Sequence, residues 1–234
     1  MNFTSLKNLA KGQDKAGKTN QTNANASTLV LASASPRRLT ILSQVGIEPD
    51  ALRPTSIDET PYKSEPPRAY VARIAKEKAL AAQKLINEEP DLAGSFILSA
   101  DTIVAVGRRI LTKPELVEEA ARMLQLLSGR SHRVYTAVCL ITPGKKVISR
   151  IIETRVRFKH LSSEEIDCYL VSNEWRGKAG GYAIQGMAGA FIERLVGSYT
   201  NVVGLPLTEV IKMLRGAGYP VTYHWMKRAG RDLE

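Results

Sequence analysis

A polar run that could bind an anion follows the first apolar stretch of the chain. It reads Ser33-Ala34-Ser35-Pro36-Arg37-Arg38, in which Ser35 suits the N-cap of a helix and Pro36 its first position. Two arginines in the first turn oppose the helix dipole, at a cost of about a few tenths of a kcal/mol per charge. Backbone N–H groups, hydroxyls and guanidinium groups at one helix start form a strong anion site. The run therefore predicts an anion-binding loop, although a capped helix with two solvated arginines would have the same sequence.

An acidic residue interrupts the most apolar stretch of the chain. Asp101 lies in the sequence Ser99-Ala100-Asp101-Thr102, inside an apolar run over residues 96–106. An ionised carboxylate in such a strand pays a large desolvation cost unless a partner compensates it. A divalent cation or an activated water would compensate it and would suit catalysis, whereas backbone N–H groups would give it a structural role. Asp58 and Glu59 could supply further oxygen ligands for a hard cation such as Mg²⁺.

Three isolated lysines and one glutamine are further candidates for binding a ligand. Lys78 lies in a helical pattern, Lys113 precedes a proline, and Lys178 opens the stretch Lys178-Ala179-Gly180-Gly181-Tyr182-Ala183-Ile184-Gln185-Gly186. Single lysines are usually solvated, so they matter only if the fold brings them to the arginines. The paired glycines allow a ligand to approach the backbone closely, and the Gln185 amide offers both acceptor and donor groups. These glycines do not match the dinucleotide-binding fingerprint.

Alternating strands and helices must position these residues. The pattern predicts strands at 29–32, 96–106 and 190–195, a hairpin of strands at 132–142 and 146–159, and helices at 36–45, 67–86, 114–128, 162–171 and 206–216. This order favours a mixed α/β sheet, with a boundary between two lobes near residue 130.

Composition excludes several classes of protein. The chain has 234 residues, 44% of them hydrophobic, so most of it can bury a core and is not disordered. No apolar run approaches the roughly 18–20 residues of a membrane helix. A net charge of +10 suits a polyanionic ligand, but scattered basic residues without a recognition motif disfavour stable nucleic-acid binding. Cys139 and Cys168 lie in apolar stretches, which predicts buried free thiols in a reducing cytoplasm.

Taken together, these segments resemble the Maf family, the septum-formation-inhibitor-like nucleotide pyrophosphatases. The matching stretches cover essentially residues 29–215, and jointly they are highly specific. They are residues 31–38, 57–59, 75–79, 99–102, 113–114, 127–132, 178–186 and 197–207. One departure is Trp175-Arg176-Gly177, where many members of the family have a segment containing proline.

The resemblance implies a metal-dependent hydrolase that cleaves nucleoside triphosphates between the α- and β-phosphates. The implied fold is an elongated mixed β-sheet flanked by helices, in two lobes with a cleft between them, and it is often dimeric. The expected organisation is a disordered tail at 1–27, the Maf-like domain at 28–216 and a basic C-terminal extension at 217–234. The resemblance also implies a nucleotide substrate, a possible homodimer and a cytoplasmic location. It implies no membrane partner and no stable nucleic-acid partner.

The resemblance also assigns roles to individual residues. Asp101 inherits the role of catalytic base. The residues that it assigns to phosphate binding are Ser33, Ser35, Arg37, Arg38, Lys78 and Lys113. A divalent cation, Mg²⁺ or Mn²⁺, would be bound by Asp58, Glu59 and Asp101.

Three positions distinguish the branches of the family by substrate. Arg37, Thr102 and Gln185 match the branch that acts on dTTP and UTP, whereas the branch acting on 7-methyl-GTP tends to have Trp, Gln and Glu there. Water would attack the α-phosphorus with pyrophosphate leaving, and Gln185 could pair with the O4 and N3–H of uracil or thymine. A nucleotide-binding regulator of septum formation with little catalysis is the alternative.

Overall fold

The computed structural model describes residues 28–230, apart from the side chains of residues 227 and 228. The predicted disordered tail at 1–27 lies outside the described residues. The strands are β1 (Leu29–Leu31), β2 (Ala51–Leu52), β3 (Phe96–Val106), β4 (Arg109–Leu111), β5 (Ser131–Ile141), β6 (Val147–Phe158) and β7 (Ile192–Val196). The helices are α1 (Pro36–Ser43), α2 (Pro67–Asn87), α3 (Val117–Leu127), α4 (Ser163–Val171), α5 (Tyr199–Val203), α6 (Leu207–Gly216) and α7 (Val221–Arg228).

The described strands form one mixed sheet. Its order is β2-β1-β3-β5-β6-β7, with β4 paired to the outer part of β3. Strand β1 is parallel to β2 and β3, and the other pairs are antiparallel. The predicted α/β class with an elongated mixed sheet is confirmed, because three strands of 11–12 residues cross the molecule. At about 3.3 Å per residue they extend roughly 35–40 Å.

Helices cover the two faces of the sheet in different ways. On one face, α2 packs its apolar stripe, including Val71, Ile74 and Ala82, against β1, β3 and β5. On the other face, α1, α6 and the start of α7 form one core group, and α3 and α4 form a second group further along the strands. The candidate cleft lies between these two core groups, but the predicted lobe boundary near residue 130 is wrong, because α3 and α4 lie on opposite sides of it in the sequence and share one group.

A gap in strand pairing lies at the centre of β3. Strand β1 pairs only as far as Leu98 of β3, and β4 pairs only from Val104 onward. Residues 99–103 therefore have no strand partner on that edge. Asp101 and Thr102 point to opposite faces of the sheet, as neighbours in a strand must, yet both line one cavity at this gap.

Several predicted boundaries are wrong. Helix α3 begins at Val117, because the Glu119 carboxylate accepts the backbone N–H groups of Glu115 and Leu116 in an extended segment before it. The predicted last helix, α6, is followed by α7. Cys139 is buried as predicted, but Cys168 is exposed on the outer side of α4.

The segment predicted as a C-terminal extension begins by packing on the domain. Tyr219 and Val221 are 3% and 1% exposed. The Tyr219 ring meets Phe96 of β3 edge-to-face at 5.5 Å between centroids. Within the described residues, none of the helices combines the length and apolarity needed to cross a membrane.

Candidate active site

The polar run after β1 folds into a loop that fixes one arginine. Ser33 Oγ accepts hydrogen bonds from the Ser35 backbone N–H at 3.2 Å and from Arg38 Nη1 at 2.9 Å. Arg38 Nε donates to the Gly204 carbonyl at 2.8 Å, and Nη2 donates to Thr102 Oγ1 at 3.3 Å. Ser35 occupies the N-cap position of α1 as predicted, but its side chain makes no capping bond. The loop thus uses its polar groups to orient Arg38 rather than to cap the helix.

The two arginines of this loop differ in their surroundings. Burial lowers the pKa of Arg38, the negative charge of Asp101 raises it, and the neighbouring Arg37 lowers it again. Burial also lowers the pKa of Arg37, which forms no salt bridge with any described residue. Both guanidinium groups stay charged, because arginine keeps its proton in proteins. Arg37 is therefore a partly desolvated cation with nothing in the described chain to neutralise it.

Asp101 forms a buried ion pair with a lysine of α2. Lys78 Nζ lies 2.8 Å from Asp101 Oδ1 and 2.7 Å from Glu59 Oε1. Asp101 is 5% exposed and Lys78 is 9% exposed. Burial by itself would raise the pKa of Glu59, but the hydrogen bond and charge of Lys78, with the charges of Lys113 and Arg38, lower it. A carboxylate–ammonium–carboxylate group therefore stands at the gap in β3.

The predicted acidic pair is split by the fold. Glu59 reaches Lys78, whereas Asp58 is exposed and does not line the cavity. Asp58 Oδ1 instead accepts the backbone N–H of Thr60 at 2.9 Å, in a local turn. The structure therefore brings only one of the two acidic neighbours to Asp101.

The glycine-rich segment forms the opposite wall. Gly180 has a φ of +71°, and a Cβ there would lie 2.8 Å from Val104 Cγ2, so only glycine fits. Lys178 is half-buried and donates from Nζ to the Arg176 carbonyl at 3.0 Å. Burial and the nearby Arg37 charge lower the pKa of Lys178. Gln185 lines the cavity from an exposed position, and its amide has no hydrogen-bond partner among residues 28–230.

These groups enclose a cavity of about 420 Å³. The predicted site residues that line it are Ser33, Ser35, Arg37, Arg38, Glu59, Lys78, Asp101, Thr102, Lys113 and Gln185. Arg176 and Lys178 bring the cationic side chains to six against two carboxylates. Val134, Val202 and Ile184 add an apolar surface. The cavity can therefore accept a strongly anionic group, and its apolar lining can contact a flat apolar one.

Sequence reasoning missed a hydrogen-bonded chain behind this cavity. Thr102 Oγ1 lies 2.9 Å from Thr136 Oγ1, which donates to the Asn201 carbonyl at 2.9 Å. Asn201 Nδ2 donates to the Val134 carbonyl and to Thr154 Oγ1. Thr136 and Asn201 are fully buried polar residues, so they had no local signal beyond their polarity in apolar surroundings. Lys178 was a candidate from the sequence, and the fold does bring it to the cavity near Arg37.

The family model described as Maf-like protein matches residues 28–217. The chain belongs to the Maf family. Its matched range includes every residue that lines the cavity, and it ends one residue beyond the domain boundary expected from the sequence.

Curated relatives in the Maf family are similar over most of this chain. The dTTP/UTP pyrophosphatase of Rhodopseudomonas palustris (strain HaA2) is 63% identical over 198 residues, which cover 85% of this chain and 96% of that protein. The dTTP/UTP pyrophosphatase of Nitrobacter winogradskyi is also 63% identical, with the same coverage. A dITP/XTP pyrophosphatase structure from Mycobacterium abscessus aligns with 58% of this chain and 76% of that chain, at 17% identity and a TM-score of 0.35.

Proposed function

We propose that this Maf protein hydrolyses dTTP and UTP to the nucleoside monophosphate and pyrophosphate. The observation that carries the proposal is the buried Asp101 carboxylate, paired with Lys78 at one end of a cavity with six cationic side chains. Relatives that are 58–63% identical over about 85% of the chain are named dTTP/UTP pyrophosphatases, which supports the choice of substrate.

The cations divide the binding of the triphosphate between them. Hydrogen bonds to Gly204 and Ser33 fix the orientation of the Arg38 guanidinium. Its remaining N–H groups are therefore held in place for a phosphate oxygen. Lys78 uses two of its three hydrogens on carboxylates and retains one for a phosphate oxygen. Arg37 and Lys113 line the cavity without a salt-bridge partner in the described part of the chain. Charge that develops on the phosphate oxygens and the leaving pyrophosphate is stabilised by groups already in place.

The chemical step needs a base at the α-phosphorus. Asp101 accepts a proton from water as the water oxygen bonds to the α-phosphorus, and the bond from that phosphorus to the bridging oxygen breaks. Pyrophosphate leaves with the electrons of that bond. Lys78 donates a hydrogen bond to one oxygen of Asp101, which leaves the second carboxylate oxygen able to hold the water.

The donor set fits a divalent cation that is shared with the substrate. Asp101 and Glu59 both present carboxylates to the cavity, and no group of three or more His, Cys, Asp or Glu suited to a metal occurs among the described residues. Mg²⁺ is usually held by one or two carboxylates together with substrate phosphates. Asp101 and Glu59 would hold Mg²⁺ or Mn²⁺, and the ion would neutralise phosphate oxygens. Asp58 does not join this set, because it is used in its own turn.

Recognition of the base falls to the glycine-rich wall. Gln185 can donate to O4 and accept from N3–H of uracil or thymine, and cytosine presents the inverse pattern. Since no described residue holds the amide, bound nucleotide would have to fix its orientation. Thr102 and Arg37 complete the specificity set that the family pattern implies. A cytoplasmic location and a homodimer stay predictions.

Release of pyrophosphate across a nucleotide panel tests the proposal. UTP and dTTP should be hydrolysed in preference to CTP, GTP and ATP, and EDTA should abolish the activity. Asp101→Asn should lower kcat by roughly 100-fold or more while the protein stays folded. Asp167→Asn, an exposed change on α4, is the matched control. Nucleotide binding without turnover by the wild-type protein would instead favour the regulatory alternative.

A further inference from the structure

Glu59 stands on a segment that has no regular structure of its own. Residues 53–66 connect β2 to α2 without a helix or strand. A carboxylate that must meet Lys78 and a substrate within a fraction of an ångström needs a fixed backbone, and ordering such a segment costs conformational entropy. Something outside the segment must therefore hold it.

A tyrosine of α2 holds the backbone of Glu59 itself. Tyr70 Oη donates to the Glu59 carbonyl oxygen at 2.7 Å. Burial and the negative charges of Asp101 and Glu59 raise the pKa of Tyr70 to about 12, so the hydroxyl remains a donor at neutral pH. The ring is 4% exposed and packs in the core beneath α2. The hydrogen bond therefore ties the Glu59 backbone to a rigid part of the molecule.

An arginine one turn further along α2 holds the rest of the segment. Arg73 Nε and Nη2 each lie 2.8 Å from a different carboxylate oxygen of Glu65, which makes the pair bidentate. Nη2 also donates to the Thr60 carbonyl at 3.1 Å. The Tyr62 ring lies against the guanidinium plane, 3.9 Å from its central carbon. One side chain thus contacts three residues on the far side of Glu59.

The same helix supplies the partner of the Glu59 carboxylate. Tyr70, Arg73 and Lys78 follow at intervals of three and five residues and act on the backbone of Glu59, on its neighbours and on its carboxylate respectively. Because α2 is a helix of 21 residues packed on the sheet, all three contacts share one rigid frame.

We propose that Tyr70 and Arg73 are positioning residues, which hold Glu59 so that its carboxylate stays at Lys78 and Asp101. The inference rests on the proposed function, in which Glu59 helps to hold a cation on the triphosphate. Loss of either contact loosens the part of the segment from Asp58 to Glu65 and moves the carboxylate, while the glycine-rich wall that faces the base is left in place.

A double-mutant cycle measures whether Tyr70 acts through Glu59. Tyr70→Phe keeps the ring and removes one hydrogen bond, so kcat should fall about 3- to 10-fold with UTP. In a Glu59→Gln background the same change should alter kcat by less than about twofold, because the carboxylate that it positions is gone. Tyr223→Phe on α7 is the matched control and should leave kcat unchanged in both backgrounds. Equal effects of Tyr70→Phe in both backgrounds would overturn the proposal.

Amide hydrogen exchange tests whether Arg73 holds the backbone of this segment. Arg73→Lys keeps the charge but loses the fork that binds Glu65, so amide exchange over residues 58–65 should become at least tenfold faster. Arg68→Lys, on the same helix and paired with Glu153 outside the segment, should leave that exchange unchanged. Unchanged exchange in Arg73→Lys would contradict its role.

A cation readout separates this inference from the proposed function. Free Mn²⁺ is followed by its electron paramagnetic resonance signal during titration of protein bound to an α,β-methylene analogue of UTP. Tyr70→Phe and Glu59→Gln should each weaken Mn²⁺ binding, and Tyr223→Phe should not. If the wild type releases no pyrophosphate, the proposed function fails while the exchange and Mn²⁺ measurements still decide the positioning. Normal Mn²⁺ binding in Tyr70→Phe would overturn the inference even if the wild type is an active pyrophosphatase.

Discussion

At the scale of single residues, Lys78 shares its ammonium group between Asp101 and Glu59, at 2.8 and 2.7 Å. Two carboxylates that converge on one cavity repel each other, and this repulsion raises the pKa of at least one of them unless a cation intervenes. Lys78 is that cation in the protein without substrate. Its charge also lowers the pKa of Glu59 against the effect of burial.

Replacing Lys78 should therefore change the pH dependence of activity. In Lys78→Met the pKa of Glu59 rises, so the ionised form is lost at a higher pH and the acid limb of the kcat/KM profile moves to higher pH. Lys76→Met, an exposed lysine on the same helix, should leave the profile unchanged. An acid limb at the wild-type position would show that Lys78 does not control this ionisation.

The hydroxyl of Thr102 is used within the protein. It lies within hydrogen-bond distance of Arg38, Thr136 and the Gly204 carbonyl. Thr102→Val should loosen Arg38 and raise KM roughly 3- to 10-fold for all nucleotides alike. Kinetics with UTP, dTTP and CTP check this expectation. A change in selectivity alone would support the direct specificity role implied by the family pattern.

Gln185 is the residue for which selectivity should change. Gln185→Glu keeps the length of the side chain but removes its donors, so the preference for UTP and dTTP over CTP should erode. The ratio of kcat/KM values for UTP and CTP is the measurement. A ratio equal to that of the wild type would remove Gln185 from base recognition.

At the scale of elements, the glycine-rich segment 178–186 forms its wall of the cavity through backbone conformation. Gly180 and Gly181 have φ values of +71° and +69°, and the Gly180 backbone N–H donates to the Thr112 carbonyl at 3.1 Å. That bond joins the segment to the residue next to Lys113. The close packing of Gly180 on Val104 brings the wall against β3.

Gly180→Ala should disturb both the strain and the packing of this element. The left-handed backbone would cost roughly 1–3 kcal/mol of unfolding free energy, and the added methyl would also meet Val104. Urea denaturation measures the loss, and KM for UTP should rise as the wall shifts. Gly144→Ala, where the nearest atom lies 3.9 Å from the new Cβ, is the control. Equal stability of the two variants would contradict this account.

At the scale of the whole molecule, the second core group contains a buried histidine that supports the cavity. His132 is 2% exposed, and its Nε2 lies 2.8 Å from the hydroxyl of Tyr182, a residue that lines the cavity. Burial lowers the pKa of His132 to about 4. The folded protein therefore keeps this imidazole neutral at pH values where an exposed histidine is protonated.

The free energy of unfolding should fall at acidic pH because His132 is buried in its neutral form. Between about pH 6.5 and pH 4 the unfolded chain binds the His132 proton and the folded chain does not, so unfolding is favoured as the pH falls. The loss reaches at most about 3 kcal/mol and levels off below pH 4, where both states are protonated. His132→Gln should flatten this part of the stability profile in urea denaturation, and His160→Gln, at an exposed position, should not. A wild-type profile that is flat between those values would refute the assignment.

The order and type of the main elements could be predicted from local sequence. The apolar run of β3, the period of α2 and the hairpin of β5 and β6 each have a local physical cause, and the structure confirms them. The short elements β2, β4, α5 and α7 could not be predicted. These four elements are stabilised by contacts with distant parts of the chain rather than by a periodicity of their own.

The sequence by itself determined which chemical groups the molecule contains and that one of them, Asp101, had to be compensated inside an apolar strand. Only the tertiary structure decided which partner compensates it, and which of Asp58 and Glu59 joins the cavity. Neighbouring residues in an irregular segment point in different directions, and here the choice depends on contacts from α2 that no local pattern encodes. The alignment of Thr102, Thr136 and Asn201 behind Arg38 was decided in the same way, by pairing between strands and helices far apart in the chain.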